Sequence, residues 1–270
     1  MLSNPDGRLR FFRRVSDKPR QTRARRGVYL LPSLFTMGSM WCGYASIVYS
    51  LRGEYETAAP LIGFAYLLDA LDGRIARMTG SESEFGVQLD SLADVISFGI
   101  APAVLSYAWG LSSLGRLGWA AGFVFVACAA MRLARFNIQS ASGGDKRYYV
   151  GMPSPAAAAV PAATVFMYPY GLYDYRAALP VLAMVLVPAV LMVSTIKYRS
   201  FKDLDLKSRR PFRVLVIIAA GIVAIWTHPK AVLLVAAYTY LASGFIGMAI
   251  TRFKRDRHPA DVTSQVPPVM

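Results

Sequence analysis

Apolar stretches recur along the chain with polar or basic breaks between them. Eight of them approach the length of a membrane crossing: about 28–51, 56–78, 86–110, 114–134, 153–171, 177–197, 212–227 and 230–251. A hydrocarbon core of about 30 Å needs roughly 18 to 20 largely apolar residues to cross it. Helices are the expected spanning form, because hydrocarbon offers no partner for unpaired backbone groups and these segments are too long and too uniformly apolar for barrel strands. The longest non-apolar pieces are an N-terminal arm, a loop near "NIQSASGGDKRYY", a loop "KYRSFKDLDLKSRRPF" and the tail. None has the size of a soluble domain, and no internal repeat stands out. The pattern predicts an all-α integral membrane protein of about eight transmembrane helices: a membrane domain over 28–251, preceded by a basic arm over 1–27 and followed by a tail over 252–270.

Composition agrees. Of 270 residues, 55% are hydrophobic and 17% charged, which is more apolar side chain than one soluble core of that length requires. Cys42 and Cys128 each fall in the middle of an apolar stretch without metal-ligand or paired spacing, so both are expected to be buried free thiols.

Charge then sets the topology. Cytoplasmic flanks should collect Lys and Arg. With the N-terminus inside and eight crossings, the cytoplasmic side receives 9 basic residues in the arm, 2 at Arg74 and Arg77, 4 over 132–147, 7 over 197–213 and 4 over 252–257, or 26 of 30. Arg52, Arg116, Arg176 and Lys230 remain outside. Both termini are therefore expected in the cytoplasm of a bacterial-type inner membrane. The arm has no apolar run and does not read as a cleavable secretory signal. Its "RLRFFRR" segment could lie on anionic lipid, or it could be a solvated tail that serves topology alone. A net charge of +14 gathered on one face is read as membrane charge, and no nucleic-acid partner is expected.

Against this background four aspartates sit inside apolar sequence: Asp69 and Asp72 in the second stretch, Asp90 and Asp94 in the third. At about 1.5 Å of rise per residue, the first pair lies roughly 9 to 14 Å before the cytoplasmic end of its helix and the second roughly 6 to 12 Å into the next. Spacings of i, i+3 and i, i+4 put each pair on one helix face, so the two faces can converge. Carboxylates crowded in a low-dielectric pocket repel one another unless protons or a cation join them. Oxygen-only ligands favour a hard divalent ion such as Mg²⁺ or Mn²⁺. Helix caps, ion pairs to Arg74 and Arg77, or a proton or cation path are the competing explanations, although ionisable groups inside a membrane are functional by default. Gly73 and Gly86 remove side chains beside the acids, which would let a bulky phosphorylated ligand approach the backbone. Arg77, about two turns nearer the cytoplasm than Asp69, could grip a phosphate or simply snorkel to the interface.

Written out, these residues are D69-x2-D72-G73-x2-A76-R77-x8-G86-x3-D90-x3-D94. This resembles the signature of the CDP-alcohol phosphatidyltransferase family at all eight fixed positions. "LPSLFT", "DSLADVISFGIAPA", "MRLARFN", "GMPSPAAA" and "VSTIKYRSFKDLD" extend the resemblance toward its bacterial membrane-embedded phosphatidylserine synthases. Ser33 departs from that pattern, where Asn is expected.

The resemblance implies a homodimer with a polar cavity open to the cytoplasm. It further implies a reaction in which the hydroxyl of L-serine attacks the lipid-side phosphorus of CDP-diacylglycerol, giving phosphatidylserine and CMP. By position in the motif, Asp69, Asp72 and Asp90 would be metal ligands for two divalent ions. Asp94 would be the general base and would also touch a metal. Gly73, Ala76, Arg77 and Gly86 would frame the nucleotide, with Thr36 a further nucleotide or phosphate contact. Two ions held by carboxylates suit such an in-line phosphoryl transfer on general grounds.

The acceptor rests on "RLARFN", where Arg132 and Arg135 could bind the serine carboxylate or the lipid phosphate, or act as topogenic anchors. Lys146, Arg147 and "KYRSFK" are further anion-binding candidates or solvated charge. The same chemistry with glycerol 3-phosphate, inositol phosphate or another alcohol is the nearest alternative. An ion or proton transporter would also hold buried carboxylates but needs none of the D-G and A-R neighbours. A membrane prenyltransferase would place its aspartate motifs far apart in the chain. Tyr29, Trp109, Tyr168 and Trp226 are expected as interfacial anchors, and Pro102, Pro153, Pro155 and Pro161 as helix starts or kinks. His228 and His258 lie outside the expected pocket.

Overall fold

A computed structural model describes residues 26–80, 83–141, 148–199 and 211–256. The "RLRFFRR" segment, Lys146, Arg147, most of the "KYRSFKDLDLKSRRPF" loop and the tail beyond Asp256, with His258, lie outside the described residues.

Helix occupies each of the predicted apolar intervals. α1 (Arg26–Leu51) and α2 (Tyr55–Thr79) are followed by α3 (Glu84–Asp94), which runs through a π-turn (Val95–Ile100) into α4 (Ala101–Trp109). A 3-10 turn (Leu111–Leu114) leads to α5 (Arg116–Ala141), then come α6 (Ser154–Met167), α7 (Tyr175–Val193), α8 (Pro211–Thr227) and α9 (Pro229–Asp256). One short pairing was not expected: β1 (Tyr148–Val150) runs antiparallel to β2 (Lys197–Arg199), with Tyr149 opposite Tyr198.

Among the described residues, four helical stretches are long and apolar enough to cross a membrane: Glu84–Trp109, Arg116–Gln139, Tyr175–Val193 and Pro229–Ile246. The chain is an integral membrane protein. Ser154–Met167 is apolar but shorter. α1 and α2 have the length but carry polar positions, a buried stripe of Thr36, Ser39, Ser46 and Ser50 on α1 and the charges Asp69, Asp72, Arg74 and Arg77 on α2.

Local chemistry sets the helix ends around the acids. α2 stops at Gly80, whose left-handed backbone (φ 60°) returns its N–H to the Ala76 carbonyl. α3 starts at Ser83, whose Oγ accepts from the Gly86 N–H at 3.0 Å. The π-turn has an identifiable cause in Pro102. Proline cannot donate to the Phe98 carbonyl and its ring crowds that group, so the preceding turn widens and the Ala101 N–H reaches back five residues to Ile96.

Packing centres on the α3–α4 rod. Phe98, Ala101 and Leu105 are fully buried there, joined by Phe125 of α5, Val160 of α6 and Met192 of α7. α1 and α2 form the most extensive helix pair, α5 lies on α7, α6 bridges α2 and α9, and α8 packs on α9. Small residues line the contacts, including Ala58, Ala65, Ala157 and Ala189. This is what helices in lipid need, since tails are as apolar as leucine and only close approach and hydrogen bonds reward association. Trp41, Phe64, Phe123 and Trp226 face outward. Trp109 does not. It is 3% exposed and its indole N–H donates to the Tyr168 carbonyl at 2.9 Å, which makes it a core residue that pins the start of the α6–α7 connection.

Gly151 joins the strand pair to α6. Its φ of +83° and the contact a Cβ would make with the Met192 carbonyl oxygen leave room for glycine alone. Its N–H donates to Ile196 and that of Met152 to Leu191, so the entry to α6 is tied to the exit of α7.

Candidate carboxylate site

α2 and α3 present their acids to a common point. Oxygens of Asp69, Asp72 and Asp90 all lie within 4.8 Å of one another. Asp94 adjoins them, within hydrogen-bond reach of Asp69, which also reaches Asp90. The predicted convergence of an i, i+3 pair with an i, i+4 pair is thus present. Asp72 is buried and the other three are half-buried.

These residues fit a divalent cation on physical grounds. Asp90 Oδ1 is buried and finds no hydrogen-bond donor among the described residues, an expensive condition for a carboxylate oxygen. Three converging oxygens with one such orphan form a hard, anionic donor set, the kind that Mg²⁺ or Mn²⁺ takes.

Each acid is held from behind. Thr36 Oγ1 of α1 donates to Asp72 Oδ2 at 2.7 Å. The expected nucleotide contact of α1 is therefore turned onto a carboxylate, with Ser33 one turn before it on the same helix. The Gly73 N–H also serves Asp72, and the charge of Arg77 acts on it. Arg77 folds back over its own helix, since a Cβ on Gly73 would stand 3.7 Å from Arg77 Nη1. Gly86 sits inside the Ser83 cap, where a Cβ would stand 3.1 Å from Ser83 Oγ. Ala76 is half-buried on α2 one turn beyond Asp72.

The arginine pair of α5 divides. Arg132 is buried, donates from Nη1 to Ser154 Oγ at 3.1 Å, stacks 5.3 Å above the Phe136 ring, and is the cation whose field acts on Asp94. Arg135 turns to α7 and donates from Nη1 to the Val193 carbonyl at 3.1 Å, near the helix C-terminus where a cation is favoured. One residue of the pair therefore faces the acids and the other caps a helix. Two partners escaped the sequence reading: Ser154, which holds Arg132, and Ser91, which receives the Asn137 amide at 2.9 Å between the two acids of α3. The strings "RLARFN" and "GMPSP" contain Arg132, Phe136 and Ser154, but nothing in either string says that the two segments meet.

His228 lies between α8 and α9, away from this cluster, and Cys42 and Cys128 are free thiols.

Comparison with known proteins agrees with this geometry. Residues 29–196, which include all four acids, match the family described as CDP-alcohol phosphatidyltransferase. The chain is 36% identical over 220 residues to the CDP-diacylglycerol--serine O-phosphatidyltransferase of Helicobacter pylori (strain ATCC 700392 / 26695), covering 81% of this chain and 91% of that protein. It is 43% identical over 148 residues to the protein of the same name from Mycobacterium leprae, covering 53% and 49%. It is 38% identical over 170 residues to the archaetidylserine synthase of Methanothermobacter thermautotrophicus, covering 62% and 69%.

Proposed function

We propose that this chain, which belongs to the CDP-alcohol phosphatidyltransferase family, transfers the phosphatidyl group of CDP-diacylglycerol to the hydroxyl of L-serine, releasing CMP. The observation that carries the reading is the meeting of Asp69, Asp72 and Asp90 around one point with an orphaned carboxylate oxygen among them. The names of the three relatives support serine, because all contain it, including the archaetidylserine synthase, whose lipid part differs from that of the other two.

Asp69, Asp72 and Asp90 would hold two divalent ions, which when bound neutralise the pyrophosphate and stabilise the departing CMP phosphate. Thr36 fixes the Asp72 carboxylate so that its lone pairs stay aimed at the site. Asp94 accepts the proton of the serine hydroxyl as the oxygen attacks in line with the leaving group. It lies one turn further along α3 than Asp90 and beside Asp69, where an attacking oxygen can approach from the side opposite the nucleotide. Gly73, Ala76, Arg77 and Gly86 bound the nucleotide side. Arg132, pre-set by Ser154 and Phe136, takes the serine carboxylate, while Arg135 holds α7 in place.

The orientation that suits this chemistry has eight crossings, both termini and the acid-bearing cavity on the cytoplasmic side of an inner membrane, and the enzyme acting as a homodimer. In this reading the chain divides into a basic arm over 1–27, a membrane domain over 28–251 and a tail over 252–270. The basic cytoplasmic face would favour anionic lipid, so activity should rise with anionic lipid content at fixed CDP-diacylglycerol.

One measurement tests the reading: CMP release by the purified protein with CDP-diacylglycerol and Mg²⁺ or Mn²⁺, with and without L-serine. Serine-dependent release is expected. Release that follows glycerol 3-phosphate or an inositol phosphate instead would keep the family chemistry and replace the acceptor. Counter-ion-coupled flux in liposomes without CMP release would replace an enzyme by a transporter.

A further inference from the structure

Below the acids, the same face of α1 that carries Thr36 continues with Ser39 and Gly43, at i, i+3 and i+7. Ser39 Oγ donates to the Ala65 carbonyl of α2 at 3.1 Å, four residues before Asp69. Ser97, in the π-turn three residues after Asp94, donates from Oγ to the Ser39 carbonyl at 3.0 Å. One residue of α1 therefore ties both acid-bearing helices, each one turn deeper than its nearest aspartate. Gly43 makes that tie possible. A Cβ there would stand 2.7 Å from Ser97 Oγ and 2.8 Å from Ser97 Cα, so a side chain would have to displace backbone as well as a hydroxyl. Ser39 and Ser97 are both buried, and their hydroxyls have been given backbone acceptors on neighbouring helices.

From this contact we infer that Gly43 and Ser97 are positioning residues of the carboxylate site: Ser97, seated on the bare Gly43 backbone, sets the height and rotation of α3 and thereby the spacing of Asp90 and Asp94 from Asp69 and Asp72. The inference rests on the reading that these acids hold divalent ions. A π-turn is a natural place for such a control, because its wider ring lets the segment before Pro102 turn relative to the segment after it. The glycine seat removes that freedom by allowing one close fit between α1 and the turn.

The test measures Mn²⁺ binding to the purified protein by electron paramagnetic resonance without substrate, together with half-activating Mn²⁺ and turnover at saturating metal. Four variants are compared with wild type: Gly43→Ala, Gly43→Val, Ser97→Ala and Gly63→Ala. The last is a control, since a Cβ at Gly63 meets nothing within 4 Å. Gly43→Ala is expected to weaken Mn²⁺ binding about tenfold and to raise half-activating Mn²⁺ in parallel. Ser97→Ala should do so severalfold, Gly63→Ala should match wild type, and Gly43→Val should lose binding or fail to fold.

A purely structural role makes a different prediction. It lowers the folded fraction and the melting temperature of Gly43→Ala and Ser97→Ala while their folded molecules keep wild-type Mn²⁺ affinity, and that result overturns the inference. If wild type itself binds no Mn²⁺, or Asp90→Asn binds it as wild type does, the metal reading fails first and the inference falls with it.

Discussion

The two ends of the bundle both carry acidic side chains, and they treat the charge differently. At the end formed by the α1–α2 turn, Glu56 pairs with Lys230 at 2.7 Å, with the two side chains 68% and 37% exposed, and Lys230 also stands over the Phe166 ring. A cavity of about 450 Å³ opens there between Glu54, Thr57, Tyr170 and Lys230. Negative charge is met by a cation of the chain in reach of solvent, an arrangement that contributes only about 0.2–1 kcal/mol. At the other end four carboxylates, one buried and three half-buried, share one neighbourhood, and among the described residues the fields of Arg77 and Arg132 act on Asp72 and Asp94. An excess of partly buried anions over the cations that face them among the described residues is destabilising by ordinary accounting. Under the proposed function, this is the place where a divalent cation and a phosphorylated substrate would be held.

Substitutions can break or sharpen this contrast. The largest effect is expected at Asp94→Asn, where transfer of radiolabelled serine to CDP-diacylglycerol should fall about 10²- to 10⁴-fold while Mn²⁺-dependent retention of CDP survives. Full serine transfer by this variant would remove Asp94 from the role of base. Next comes Thr36→Val, which keeps the shape and deletes the hydroxyl behind Asp72. Half-activating Mn²⁺ should rise about 10- to 100-fold with an unchanged folded yield, and an unaltered metal requirement would show the bond to be packing only.

Arg132→Lys should raise the KM for L-serine about tenfold with a smaller loss of kcat, because an ammonium cannot reproduce the two-pronged grip of a guanidinium. If the KM for CDP-diacylglycerol rises instead, Arg132 serves the lipid phosphate. The smallest effect belongs to the opposite end. Glu56→Gln should leave serine transfer within about twofold of wild type and cost about 0.2–1 kcal/mol of stability, measured by thermal unfolding in detergent. A large loss of activity there would dissolve the distinction between the two ends.

The parts of this architecture that were legible in the sequence are those written as spacing. Apolar length located the helices, and i, i+3 and i, i+4 intervals put Asp69, Asp72, Asp90 and Asp94 on convergent faces because helix periodicity is a local property. What stayed hidden depends on which helices meet. The hydroxyls of Thr36, Ser39, Ser97 and Ser154 sit among many small polar residues in apolar sequence, and nothing along the chain tells a helix-packing serine from one that holds a carboxylate or an arginine. The π-turn lies in a run that reads as apolar throughout, so one additional residue in the turn leaves no trace in the hydrophobic pattern, although Pro102 marks its end. Trp109 misled for a related reason. A tryptophan near a helix end looks like an anchor at the lipid headgroups until the chain is seen to fold Tyr168 back over it.

The hydroxyl stripe of α1 also bears on how the chain enters the bilayer. Ser39 and Ser46 spend their protons on carbonyls of α2, at Ala65 and Ala58, and the two helices are joined by a turn of three residues, Arg52, Gly53 and Glu54. Inserted by itself, α1 would have to turn those hydroxyls back on its own backbone, and it would offer lipid a poorer surface than the finished pair does. Biogenesis should therefore treat α1 and α2 as a single hairpin that leaves the translocon together. A nascent chain halted before Tyr55 should remain extractable by alkaline carbonate, whereas one halted after Thr79 should not.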